Sequence, residues 1–157
     1  MNRIYSWTTV TFSALAFAGC STMDSESQSA WHATEIASQE WFAVPECVVA
    51  DGQGNVFVSN ILPDNDVYWG DDGMGFVSRL SVKGKVEAPY WLGGRENSPI
   101  HSPKGMCILD GWLYLNDSTR LLRCKLDNPK ATLEVVLSKG SRYNDLASDG
   151  RHLWISD

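Results

Sequence analysis

Short apolar runs separated by Gly, Asp, Asn and Pro fill the chain from Trp41 to its last residue. The runs are rich in Val, Leu, Trp, Tyr and Phe, and such runs of about four to eight residues are typical of β-strands. No stretch of this region carries an apolar stripe at the spacing of an amphipathic helix. The pattern therefore predicts an all-β domain over residues 41–157.

A hairpin-like motif occurs three times in this region. Each copy has an apolar strand, an Asp-Gly pair, a second strand with a central aromatic residue, and a final pair drawn from Ser, Asn and Asp. Asp-Gly between two strands indicates a hairpin, because the positive-φ positions of the turn favour Gly and tolerate Asp. The copies are ECVVADGQGNVFVSN (46–60), MCILDGWLYLND (106–117) and NDLASDGRHLWISD (144–157).

Two further strand-like segments follow each of the first two copies, at 76–82 and 86–92 and again at 120–127 and 133–137. Four strands per unit are typical of the blades of a β-propeller. A meandering β-sandwich is the alternative, and the propeller is favoured because the hairpin recurs at the same place in each unit. The sequence ends after the second strand of the third unit, which predicts a truncated propeller domain of about two and a half blades.

The first 20 residues have a different character. Arg3 is followed by the uncharged, apolar stretch 4–18, which is short for a transmembrane helix and suits the core of a signal peptide. The residues before Cys20, Phe-Ala-Gly, resemble the lipobox of bacterial lipoproteins, in which the Cys is acylated. This resemblance predicts a signal peptide over 1–20 and lipidation at Cys20, with a plain secretory signal as the alternative.

The lipobox resemblance also implies a location in the bacterial cell envelope. Ser21 after the Cys resembles an outer-membrane destination, so the membrane is an expected partner through the lipid anchor. Residues 21–40 are Ser-rich and lack an apolar period, which predicts a flexible tether between the lipid and the domain.

The charge of the chain argues against a nucleic-acid partner, and the spacing of its cysteines argues against a zinc knuckle. Thirteen basic and 19 acidic side chains give a net charge of −6, and no basic patch is visible, which disfavours a nucleic-acid partner. The cysteines after Cys20 have apolar neighbours and no zinc-knuckle spacing. They are predicted to be buried, inert thiols: Cys47, Cys107 and Cys124.

Four segments in this order resemble bacterial members of the gluconolactonase, regucalcin and luciferin-regenerating-enzyme family. They are PECVVADGQGNVFVSNI, GFVSRLSVKGKV, SPKGMCILDGWLYLND and YNDLASDGRHLWISD, and the resemblance runs from about Trp41 to Asp157. It implies a six-bladed propeller when complete, with one divalent cation, calcium or zinc, in the central channel. It also implies that Glu46 is a cation ligand and that Asn144 of the Asn144-Asp145 pair lines the channel near a substrate, with further ligands expected beyond residue 157.

The blade pattern itself places several polar residues together. In a four-stranded blade, the start of the first strand, the loop between the second and third strands, and the link to the next blade share one face. Glu46, the loops 62–75 and 93–103, and Asn144 are therefore expected at one channel mouth. His101 and Lys104 lie at the same mouth and are candidate contacts for a substrate oxygen. Ordinary structural roles remain the alternatives for Glu46, for the Asn144-Asp145 pair and for the loop residue His101.

Two functions follow from this sequence. The first, implied by the resemblance, is a hydrolase of a lactone or similar small ester, in which the divalent cation polarises the carbonyl or activates water. The second is a non-catalytic propeller that binds a protein or a glycan at the cell surface, since fold alone does not settle function.

Overall fold

The computed structural model describes residues 3–7, 33–38, 40–62, 68–94 and 98–157. A two-stranded antiparallel sheet comes first in the chain and joins β1 (Arg3–Trp7) to β2 (Ala33–Ser38). The Cys20 lipobox and most of the predicted tether lie outside the described residues. Of the 21–40 range, residues 33–38 form β2. In the described part of the chain, no helix is long and apolar enough to cross a membrane.

The first four-stranded sheet is an antiparallel meander in which every strand pairs with its neighbour in sequence. Its strands are β3 (Pro45–Ala50), β4 (Asn55–Asn60), β5 (Phe76–Ser81) and β6 (Val86–Gly93). The predicted strands 76–82 and 86–92 match β5 and β6 closely.

The second four-stranded sheet repeats the same meander, and a third hairpin follows it. The strands of the sheet are β7 (Pro103–Leu109), β8 (Trp112–Asp117), β9 (Arg120–Lys125) and β10 (Glu134–Leu137). A single helical turn, α1 (Pro129–Thr132), links β9 to β10, and the hairpin joins β11 (Leu146–Ser148) to β12 (Leu153–Ile155). The described chain is thus almost entirely β, which confirms the predicted all-β class.

Both faces of the first sheet are covered, and β4 shows how. Phe57 packs into a cluster shared with the second sheet, whereas Val56 and Val58 on the opposite face pack with Ala37 of β2. Residues 56–60 are all buried, so β4 has buried side chains at consecutive positions and not at every second position.

The second sheet lies between two clusters in the same way. Met106 and Leu113 face the first sheet, while Cys107 and Leu121 face the third hairpin and pack against Leu146. The first strands of the three units therefore lie side by side, with β7 in contact with both β3 and β11.

The three Asp-Gly turns differ in geometry. Asp110 and Gly111 form a two-residue loop with φ angles of 52° and 75°, as in a type I′ hairpin. In the other two copies the Asp caps a longer loop, where the Oδ1 of Asp51 accepts the N–H of Gln53 at 2.8 Å and the Oδ1 of Asp149 accepts that of Arg151 at 2.8 Å.

The first member of the final Ser/Asn/Asp pair ties its sheet to the next unit. The hydroxyl of Ser59 donates to the carbonyl oxygen of Lys104 at 2.9 Å. At the matching position of the second sheet, the Nδ2 of Asn116 donates to the carbonyl oxygens of Asn144 and Asp145 at 3.2 and 3.0 Å. Both sets of hydrogen bonds, here called ties, reach the beginning of the first strand of the next unit.

The second member of each pair holds the segment that leads into its own first strand. Asn60, Asp117 and Asp157 each accept backbone N–H groups through Oδ1. The recurring pair is therefore a structural device, which links the units and fixes the start of each first strand. The N–H groups that bind to these three side chains belong, in the same order, to Ala43, to His101 and Ser102, and to Ser141 and Arg142.

Candidate functional site

The candidate site lies at the end of the sheets where β3, β7 and β11 begin. Glu46 is the second residue of β3, Lys104 is the second residue of β7, and Asp145 directly precedes β11. We call the region formed by Glu46, Trp69, Lys104 and Asp145 the mouth. The Asp-Gly turns lie at the opposite end of the same strands, as the blade pattern predicts.

An ion pair joins the first two units at the mouth. The Nζ of Lys104 lies 3.9 Å from the Oε2 of Glu46, and the side chain of Lys104 is only 4% exposed whereas that of Glu46 is 32% exposed. Burial lowers the pKa of the Lys104 ammonium, although the Glu46 carboxylate opposes the shift. Lys104 is thus a buried cation whose ion-pair partner among the described residues, Glu46, is partly exposed.

Trp69 covers Lys104, and no motif in the sequence marks this residue as part of the site. The ammonium lies 4.5 Å from the centre of the indole ring, a cation–π distance. The loop that carries Trp69 is held by the second sheet, because Ser118 Oγ donates to Trp69 O at 3.0 Å and Ser102 Oγ donates to Gly70 O at 2.8 Å. The feature of the sequence that points to Trp69 is the predicted position of loop 62–75 at this end of the sheets.

Arg142 adds a second cation at the rim of the mouth. Its guanidinium carbon lies 5.9 Å from the centre of the Trp69 ring, and its backbone N–H is held by Asp157 at 2.7 Å. The indole therefore has a buried ammonium and an exposed guanidinium as neighbours, an arrangement that attracts anionic or strongly polarised oxygen atoms.

His101 supports the loop of the mouth through its ring. Its Nδ1 accepts the N–H of Gly73 at 2.9 Å, and its own backbone N–H donates to Asp117 at 3.0 Å. These contacts let His101 hold the loop of the mouth in place, and the expected contact of His101 with a substrate stays a prediction.

The Asn144-Asp145 pair is tied down through its backbone. Asn144 O accepts the N–H of Gly105 at 2.8 Å, and Asp145 N–H donates to the hydroxyl of Ser156 at 2.8 Å. Both side chains are exposed at the mouth. The carboxylate of Asp145 is close enough to contribute to a raised pKa of the Cys47 thiol, for which burial is the main cause.

The surroundings of Glu46 bear on the expected cation. A divalent ion bound to this carboxylate would lie close to the ammonium of Lys104, and like charges repel strongly in a site shielded from water. The described residues include no group of three or more His, Cys, Asp or Glu side chains arranged to hold a metal. Among the described residues, the charged group beside Glu46 is an ammonium, which disfavours a divalent cation at this carboxylate.

The cysteines in the described part of the chain, Cys47, Cys107 and Cys124, are unpaired thiols. Burial raises the pKa of Cys107 to about 11 and that of Cys124 to about 12, so both are protonated at neutral pH, as predicted for inert core residues. Cys47 is half-buried, and its sulfur accepts the N–H of Met106 at 3.2 Å, which links β3 to β7.

A polar cleft of about 340 Å³ lies at the opposite end of the strands, between the two four-stranded sheets. Its acidic and basic groups are balanced, and Asp51 is engaged by its own turn. The mouth is the stronger candidate because it holds a buried ammonium whose ion-pair partner in the described chain, Glu46, is partly exposed. The charged residues that line the cleft are Asp51, Arg79, Lys125 and Asp127.

No protein-family model matches this chain, and no curated protein matches it. The resemblance to the gluconolactonase and regucalcin family therefore stays a prediction from the sequence motifs.

Proposed function

We propose that β3–β12 are successive blades of a β-propeller and that the mouth binds a small polar ligand, with a lactone or similar ester as the candidate substrate. The stacking of the sheets supports the propeller over a sandwich. A sandwich pairs two sheets across one core, whereas here the second sheet has a core on each face, one with the first sheet and one with the third hairpin.

Lys104 is the observation that carries the ligand site. A charged group that is almost fully buried is unfavourable unless it is well paired. In the described part of the chain, the ion-pair partner of this ammonium is Glu46, at the long distance of 3.9 Å. Such perturbed groups concentrate where proteins bind or transform ligands. A carbonyl or carboxylate oxygen at the mouth would complete the coordination of this ammonium.

The same geometry suits hydrolysis of an ester. The ammonium of Lys104 can polarise a carbonyl oxygen and stabilise the negative charge that develops on it, an effect that is strong in a site shielded from water. Glu46 is the nearest carboxylate and is open enough to reach a water molecule, which makes it the candidate general base.

Titration calorimetry and turnover assays with a panel of sugar lactones test this proposal. We expect Lys104→Met to weaken binding at least about tenfold, equivalent to roughly 1.4 kcal/mol. Lys125→Met is the matched control, because Lys125 also lies over an indole ring, 4.3 Å from the centre of Trp112, at the far end of the second sheet. Equal lactone binding by wild type and Lys104→Met would refute the ligand site, and binding without turnover would favour the non-catalytic alternative.

We also propose that the protein is anchored to the bacterial envelope through a lipid on Cys20. The support is the apolar stretch 4–18 followed by Phe-Ala-Gly-Cys. Metabolic labelling with a fatty-acid analogue in a bacterial host should mark the wild type and leave Cys20→Ala unmarked. Labelling of both proteins would contradict lipidation at this residue.

A further inference from the structure

The carboxylate expected to hold a metal ion already has a cation beside it. The Nζ of Lys104 lies 3.9 Å from the Oε2 of Glu46. Carboxylate ligands contact calcium at about 2.3–2.6 Å, so an ion bound at Glu46 would come close to the ammonium. The two cations would compete for the Glu46 carboxylate.

Lys104 is held at this position by its backbone. Its carbonyl oxygen accepts the hydroxyl of Ser59 at 2.9 Å, and the same hydroxyl oxygen accepts the N–H of Cys47 at 3.0 Å. Ser59 therefore connects Lys104 to the residue next to Glu46. On the other side, the N–H of Gly105 donates to Asn144 O at 2.8 Å.

The ammonium is also confined by what covers it. The side chain of Lys104 is 4% exposed, and the indole of Trp69 lies over Nζ. The Trp69 loop is bonded to the second sheet through Ser118 and Ser102. For Lys104 to leave and admit another cation, this loop would have to move away from the sheet.

We propose that the ammonium of Lys104 takes the place of a divalent cation at the mouth, so that the protein carries the positive charge of its site within its own chain. The ligand class this implies is one that presents a carbonyl or carboxylate oxygen to an ammonium. The identity of that ligand rests on the proposed function. The metal independence of the site does not.

Calcium and zinc titrations of the purified wild type, Lys104→Met and Lys104→Met/Glu46→Gln test the inference. Removing the ammonium while keeping the carboxylate should tighten divalent binding at least about tenfold relative to wild type. The double variant should lose that gain, and Lys125→Met should bind these ions as the wild type does.

Two results would overturn the inference. One is stoichiometric divalent binding by the wild type that Glu46→Gln weakens and Lys104→Met leaves unchanged. The other is a well-folded Lys104→Met protein, judged by its circular dichroism and cooperative melting, that gains no affinity for either ion.

A measurement on the wild type alone covers the case in which Lys104→Met does not fold. The melting temperature should be the same before and after dialysis against a chelator, and the same again after calcium or zinc is restored. A drop that either ion reverses would overturn the inference. Failure to bind any lactone would instead count against the proposed function, so the two failures are distinguishable.

Discussion

The hydroxyl of Ser59 donates a hydrogen bond to the carbonyl oxygen of Lys104 at 2.9 Å, across the junction of the first and second sheets. The Ser59 oxygen also accepts the N–H of Cys47 at 3.0 Å. One fully buried side chain thus fixes the backbone on both sides of the Glu46–Lys104 pair.

Ser59→Ala should lower the free energy of unfolding by about 1–3 kcal/mol, because it leaves a buried carbonyl and a half-buried N–H without a partner. Urea denaturation followed by circular dichroism measures the change. Ser148→Ala is the control, since its hydroxyl accepts only an exposed turn N–H, that of Gly150, and should change stability by less than about 0.5 kcal/mol. A loss as small in Ser59→Ala as in the control would remove Ser59 as a tie.

Gly105→Ala should destabilise the junction of the second and third units. A Cβ at Gly105 would lie 2.5 Å from Leu146 N and 2.7 Å from Asn144 O, which forces β7 and β11 apart, and we expect a loss of about 1–3 kcal/mol. Gly94→Ala is the matched control, because a Cβ there meets nothing within 4 Å. Thermal melts of the two variants should differ clearly, and equal melting temperatures would contradict the close approach of the strands.

Asp117→Asn should destabilise the protein, although Asn60 occupies the equivalent position of the first sheet. The amide keeps the oxygen that accepts the N–H groups of His101 and Ser102 but loses the charge that pairs with Arg120. Asp117 is completely buried, but the Arg120 side chain left without its partner is 23% exposed, so we expect a loss of about 1–3 kcal/mol.

Asp157→Asn is the matched control for this change, because Asp157 makes the equivalent N–H contacts in an exposed position and its pKa is lowered mainly by the Arg142 N–H. Its effect should be small at neutral pH. A double-mutant cycle with Arg120→Met should show coupling between Asp117 and Arg120. Additive effects would mean that the ion pair does not stabilise the fold.

Lys104 should make stability depend on pH in the alkaline range. Burial holds its pKa in the folded protein below that of an unfolded lysine, so the unfolded chain binds the proton more tightly. The free energy of unfolding should therefore rise as the pH increases from the lowered pKa towards the ordinary value of about 10.4. Denaturation curves at several pH values should show this rise in wild type minus Lys104→Met, and a difference that is flat or falls with pH would contradict the shift.

The apolar runs and the repeated hairpin predicted the all-β class and the strands correctly because both signals are local. The turns were harder, since Asp-Gly forms a two-residue turn only at Asp110–Gly111, while Asp51 and Asp149 cap longer loops. An Asp-Gly pair can form a two-residue turn or cap a longer loop, depending on how many residues separate the paired strands.

The mouth was predictable in its location but not in its contacts. The blade pattern brought Glu46, Lys104 and Asn144 to one end, where the structure places them. The position of Trp69 depends on bonds from Ser118 and Ser102, which lie far away in sequence. No local pattern encodes such a contact, and the approach of Lys104 to Glu46 likewise depends on how two separate sheets pack.

The ties from Ser59 to Lys104 and from Asn116 to Asn144 have a consequence for synthesis on the ribosome. Each sheet pairs only strands adjacent in sequence, so a meander can form as soon as its own residues have emerged. Each tie can form once the first strand of the following unit has emerged, and that strand is the next part of the chain to appear. The units can therefore dock in the order in which they are translated, each arriving strand being captured by a side chain that is already in place.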